Sequence, residues 1–86
     1  MTVPLVTASL REFILSNFPS ARTRGISDDD LLLENGIVDS LGVLDIVSFI
    51  ETTFGIVAVD DELVPDNFQS IQKISEYVQR KRNGDG

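Results

Sequence analysis

An acid and a hydroxyl stand side by side at Asp39-Ser40, where a polar stretch gives way to the apolar-striped run that begins Leu41-Gly42-Val43-Leu44. A serine becomes a nucleophile when a base sits beside it, and the usual base near neutral pH is histidine. The 86-residue chain has no His and no Cys. That removes the Ser-His-Asp arrangement, thiolate chemistry, disulfides and Cys-rich metal sites. Asp28-Asp29-Asp30 lacks the alternating ligands and turn glycine of a calcium loop. No catalytic residue and no metal site is expected. Two roles are left for Ser40. With Asp39 it can cap a helix and do nothing more, or it can present a hydroxyl for another enzyme to modify.

Charge narrows the partners. The net charge is −7, and between Gly25 and Gln72 there is no Lys or Arg. That interval holds Asp39, Asp45, Glu51 and eight further acids, while all seven basic residues lie toward the two ends. A surface of one sign repels nucleic acid and anionic membrane and steers basic protein partners. It also keeps a small protein soluble. No apolar run approaches the ~20 residues that span a bilayer, and the N-terminus lacks a basic-then-apolar leader. The expectation is a monomeric cytoplasmic protein that binds neither nucleic acid nor membrane.

The elements that must position Ser40 follow from the apolar spacing. Residues 1–86 are expected to form one domain, with 42 % apolar content suited to a globular core. Thr2 can cap a first helix at about residues 4–16, with Leu5 or Val6, Leu10, Phe13, Ile14 and Phe18 facing inward. Pro19 ends it. Residues 19–38 read as one long loop, its Leu31, Leu33, Ile37 and Val38 anchored on the core.

A second helix runs from about 40 to 54. Its Val43, Ile46, Val47, Ile50 and Phe54 line one face, and Leu41, Leu44, Val47 or Ser48, and Glu51 a neighbouring one. The first face is core. The second mixes apolar with polar residues, as a surface awaiting a partner does, although Leu41 and Leu44 also suit plain core packing. Gly55 is a natural helix stop. Ile56-Val57-Ala58-Val59 has no strand to pair with and is expected to be a buried loop. A short helix at about 60–64, closed by Pro65, precedes a last helix at about 70–82, capped by Ser70 and ending in Arg80-Lys81-Arg82. Residues 83–86 are a frayed tail. The fold expected is all-α: a small four-helix bundle of three longer helices and one short one, with the long loop between helices I and II.

Taken together, Gly36-Ile37-Val38-Asp39-Ser40-Leu41-Gly42, the helix ending Phe49-Ile50-Glu51-Thr52-Thr53-Phe54-Gly55-Ile56, Asp60-Asp61-Glu62-Leu63, Asn67-Phe68-Gln69-Ser70 and the Ile74, Tyr77, Val78 face resemble the acyl carrier protein family. The resemblance extends from helix I to about Val78, in the family's order and spacing. It implies that Ser40 receives a covalent 4′-phosphopantetheine arm from coenzyme A through a separate phosphopantetheinyl transferase. Gly36, Asp39 and Leu41 would be the motif neighbours. Acyl or aminoacyl groups would then ride on the arm as thioesters, delivered between loading and acyl-transfer enzymes. By the same match Leu41, Leu44, Asp45, Ser48 and Glu51 are expected to contact partners. Ile37 replaces the glycine that fatty-acid-synthesis members carry three residues before the serine, and Gly42 replaces the acid after Ser-Leu. The chain is thus more similar to stand-alone carriers of specialised pathways, including D-alanyl and other aminoacyl carriers. The competing expectation is a small acidic helical adaptor that binds a basic partner without modification.

Overall fold

The computed structural model describes residues 3–83. The cap expected at Thr2 and the tail beyond Asn83 lie outside them. Helices α1 (Val3–Asn17), α2 (Pro19–Arg24), α3 (Ser40–Phe54), α4 (Pro65–Phe68) and α5 (Ile71–Arg82) follow in order, with a 3₁₀ turn at Asp60–Glu62 between α3 and α4. Among the described residues there is no strand. The three long helices, α1, α3 and α5, form a small all-α bundle. Its radius of gyration is 11.8 Å, close to the ~12 Å expected of a compact chain of this length. No helix among the described residues is long and apolar enough to cross a membrane.

The core is built as the spacing requires. Val6, Leu10 and Ile14 of α1, Ile46, Val47 and Ile50 of α3, and Ile71, Ile74, Tyr77 and Val78 of α5 are buried together. α1 packs most extensively against α5, where the Thr7 and Ser75 hydroxyls pair at 3.0 Å. Of the Leu5/Val6 alternatives, Val6 is inside and Leu5 outside. Phe13, Phe49 and Phe54 fill the edge between α1 and α3, with Phe13 and Phe49 stacked at 4.3 Å between centroids. The two capped starts hold: Asp39 accepts from the Gly42 N–H, and Ser70 Oγ from the Lys73 N–H. Gly55 ends α3 in the left-handed region at φ 69°, which a side chain resists.

Four sequence expectations need correction. Residues 19–38 are not one long loop, because 19–24 form α2. Pro19 sits at its start, where a missing N–H costs nothing. Arg22 donates to the Leu15 and Ser16 carbonyls at 2.7 and 3.1 Å, satisfying orphaned acceptors at the end of α1. Ala21 is the one buried residue of α2, so no apolar period betrays the helix.

The anchors of the remaining loop also shift, from Leu31 and Leu33 to Leu32. Leu32 donates its N–H to the Gln69 carbonyl at 2.8 Å and accepts from both Ile37 and Val38 at 2.9 and 3.1 Å. That backbone knot turns its side chain fully inside, leaving Leu31 and Leu33 half-buried. Arg11 of α1 holds the other end, donating to the Ile26 carbonyl and pairing with Asp28, whose own carbonyl accepts from Gln72 at 2.9 Å.

Third, the short helix expected at 60–64 is a 3₁₀ turn of three residues capped by Leu63, and Pro65 opens α4 instead of closing that turn. Val64 before it is extended (φ −116°, ψ 153°), as a residue preceding proline prefers. The loop 56–59 is only partly buried: Ile56 is inside, while Val57 and Val59 are exposed.

Two expected outcomes test this frame. Leu32→Ala removes about 2–4 kcal/mol of stability in denaturant titration, because a buried leucine leaves a cavity. Leu31→Ala and Leu33→Ala each remove far less; equal costs for all three would contradict the knot at Leu32. Acid should also weaken the fold. Tyr77 and Lys81, bonding to Glu62, hold that carboxyl below its ordinary 4.5, and the Ser27 N–H and O–H do the same for Asp30 below 3.8. A lowered folded value adds stability above the unfolded value, lost as pH falls through the folded one. Urea midpoints should therefore drop on the acid side of those two values, and Glu62→Gln should flatten that drop.

Candidate functional site

The site is made where the knotted loop meets α3. Leu31 accepts from the Asn35 N–H, and Leu33 from the Gly36 N–H, in a tight turn. Gly36 takes φ +73° there, a conformation that disfavours any side chain. Ile37 and Val38 are then buried at 5 and 2 % exposure. Two consecutive buried residues fix the chain just before the helix, and the next two, Asp39 and Ser40, face solvent.

Asp39 is the helix cap. Its Oδ1 accepts from Gly42 N–H at 2.7 Å, and its carbonyl accepts from Val43 N–H at 3.0 Å. Ser40 is the first helical residue. Among the described residues no hydrogen bond engages the Ser40 hydroxyl, and none engages the backbone N–H groups of Ser40 or Leu41. Unpartnered N–H groups and the positive end of the helix dipole favour an anion at this spot, by about 0.3–1 kcal/mol near a surface. What the junction offers chemically is one exposed hydroxyl beside two open backbone N–H groups and the Asp39 carboxylate.

Gly42, which the sequence marks only as a departure from an acid, has a packing role. A Cβ there would come within 2.6 Å of Phe18 Cε1 and 2.9 Å of Val38 Cγ1. The Phe18 ring precedes α2 and lies against the first turn of α3. Phe18, at the bend between α1 and α2, therefore braces the site.

The remaining expected site residues separate. Leu41 and Leu44 are 72 and 54 % exposed, so these two side chains are surface and not core. Asp45 and Ser48 are exposed on the following turns. Glu51 is half-covered, and one of its oxygens accepts the Ala58 N–H at 2.9 Å, which shapes the chain after α3. It is committed to the fold more than to the surface.

Nothing in the apolar spacing announces the cleft beside Ser40. It has a volume of about 240 Å³ and lies between Ser40, Val43 and Leu44 on one side and Leu63, Val64, Pro65 and Phe68 on the other, with Leu33 at one end. Leu33 and Pro65 also border a neighbouring hollow of about 150 Å³. Apart from Ser40, every lining residue of the larger cleft is apolar. The available signal is the apolar triplet Leu63-Val64-Pro65 inside an otherwise acidic turn. Among the described residues there is no group of three or more acids that could hold a metal ion.

Three substitutions separate these roles in thermal or chemical unfolding. Asp39→Ala costs about 1 kcal/mol through loss of the cap. Gly42→Ala costs about 1–3 kcal/mol through overpacking against Phe18. Ser40→Ala stays within about 0.5 kcal/mol of the parent, as an exposed side chain without partners should; a larger loss would mean the hydroxyl serves the fold. In comparison with known proteins, no protein-family model and no curated relative matches the chain.

Proposed function

We propose that the chain is an acyl carrier protein, on which Ser40 bears 4′-phosphopantetheine and the arm's thiol carries acyl or aminoacyl groups between enzymes. The observation that carries this reading is the exposed, unpartnered Ser40 hydroxyl at the capped start of α3. The phosphodiester formed there would sit at the N–H groups of Ser40 and Leu41, where negative charge is favoured. With no His in the chain, activation of the hydroxyl comes from the transferase; with no Cys, the thiol comes from the arm. The small all-α bundle built on three long helices supports the reading without fixing a four-helix count.

Leu41 and Leu44 then form an apolar ridge one turn long beside the attachment point, with Asp45 and Ser48 beyond it. Such a patch, rimmed by acids, suits a basic partner with an apolar centre. Glu51, held by Ala58, contributes charge at most. The cleft next to Ser40 gives the arm or a small apolar cargo a place out of water.

Incubation with a phosphopantetheinyl transferase, magnesium and coenzyme A should raise the intact mass by one phosphopantetheine, and Ser40→Ala should abolish the gain. An unchanged mass under conditions that modify another carrier would overturn the reading. It would favour instead the unmodified acidic adaptor, which the same exposed leucines support. The modification rate should also fall as ionic strength rises, since charges across an encounter are screened within about 10 Å at 0.1 M salt; a flat dependence would reduce the acidity to a matter of solubility.

A further inference from the structure

One wall of the Ser40 cleft is held differently from everything around it. Between the buried Ile56 and the buried Phe68, no side chain in 57–67 is buried. Leu63 and Ala58 touch the core from its edge, while Val57, Val59 and Val64 are exposed. Polar contacts supply the remaining attachment: the Ala58 N–H donates to Glu51 of α3 at 2.9 Å, and several others gather at Glu62. Glu62 accepts from the Tyr77 hydroxyl at 2.7 Å and pairs with Lys81 at 3.0 Å, both on α5. It also accepts from the Val59 N–H at 3.3 Å. Its carbonyl accepts from the Asn67 side-chain amide at 2.8 Å, and Asn67 in turn accepts from Arg80.

The consequence is local. A segment with little buried apolar surface opens more readily than the helices it leans on. Here the next residues after Glu62 are Leu63, Val64 and Pro65, which form the far side of the cleft. We propose that Glu62 is a positioning residue: its grip on Tyr77 and Lys81 sets the distance between the wall of Leu63, Val64 and Pro65 and the Ser40 side of the cleft. Release of that carboxylate opens the cleft while α1, α3 and α5 stay packed. Glu62 thereby limits how large an apolar group can lodge beside Ser40. The limit on cargo rests on the carrier reading above; the hold on the wall does not.

Charged neighbours agree with the geometry. Burial first, and the Glu62 hydrogen bond second, push the Tyr77 phenol well above its ordinary 10.0, with Glu51 adding to the rise and Arg80 opposing it. Tyr77 is the single tyrosine and there is no tryptophan, so an ultraviolet titration reports the Tyr77 phenol alone.

The absence of cysteine from the 86 residues allows a direct test in the whole of this chain. A lone thiol placed by Val43→Cys lines the cleft, and one placed by Ser16→Cys lies on the exposed end of α1. Added Glu62→Ala should raise the rate at which a bulky maleimide labels the cleft thiol by about tenfold, the size expected for losing a bond to a charged group, and leave the α1 thiol unchanged. Lys81→Met should give a smaller rise and Lys81→Arg none. Amide exchange in the middle of α1 and α3 should stay slow throughout, and Tyr77 should ionise at lower pH once Glu62 is gone. If Glu62→Ala is too unstable to study, Tyr77→Phe removes the one hydrogen bond and should raise the cleft rate severalfold. Unchanged cleft labelling in the folded variants would overturn the proposal. So would a rise matched by faster exchange across α1 and α3. No pantetheine enters this experiment, so failure of the labelling assay and failure of the transferase assay are distinguishable.

Discussion

The knot at Leu32 is the constraint on which the site depends. Its carbonyl accepts two amides, from Ile37 and Val38, and its own amide reaches the Gln69 carbonyl. Those bonds pull three apolar anchors, Leu32, Ile37 and Val38, into the bundle and leave only Asp39 between the last of them and α3. Asp39 then takes the third amide of the helix and leaves the first two open. Exposure of Ser40 is thus a result of burial immediately before it. A looser loop would let Asp39 and Ser40 wander together, and the helix start would lose its fixed direction.

Opposite ends of the molecule cooperate in the same result. Arg11, Arg22 and Arg24 spend their charge on the loop and on helix ends: Arg22 on the α1 carbonyls, Arg24 on Asn35 and Arg11 on Ile26 and Asp28. On α5, Lys81 and Arg80 serve Glu62 and Asn67, and Arg82 lies over the Phe54 ring. These cations bond to neighbouring groups, most of them at the surface, while the acids at 34, 39, 45, 60, 61 and 66 are exposed.

Much of this is legible in the residues themselves. The start of α3 is readable because Asp, Ser and a wide apolar stripe make one consistent signal, and the stop at Gly55 because glycine alone suits that φ. Ser70 before Ile71 works the same way. α2 is not readable: it carries one buried alanine, and its stability comes from Pro19 and from Arg22 reaching back to α1, the second of these a tertiary matter. The choice of Leu32 over Leu31 and Leu33 is equally hidden, since three leucines in a row have no period and only the backbone bonds to Gln69, Ile37 and Val38 select one. The two faces of α3 can be drawn from spacing, but whether Leu41 and Leu44 are covered depends on where the 63–68 segment packs. Glu62 looks like one acid among many, and its partners lie fifteen and nineteen residues away.

Peptide mass mapping of the protein purified from the cells that make it decides whether the Ser40 hydroxyl is a handle. The peptide containing Ser40 should carry a phosphopantetheine, with or without a thioester-bound group, and no other serine should. Native protein with Ser40 bare in every molecule, or with the arm on a different residue, would contradict the carrier reading.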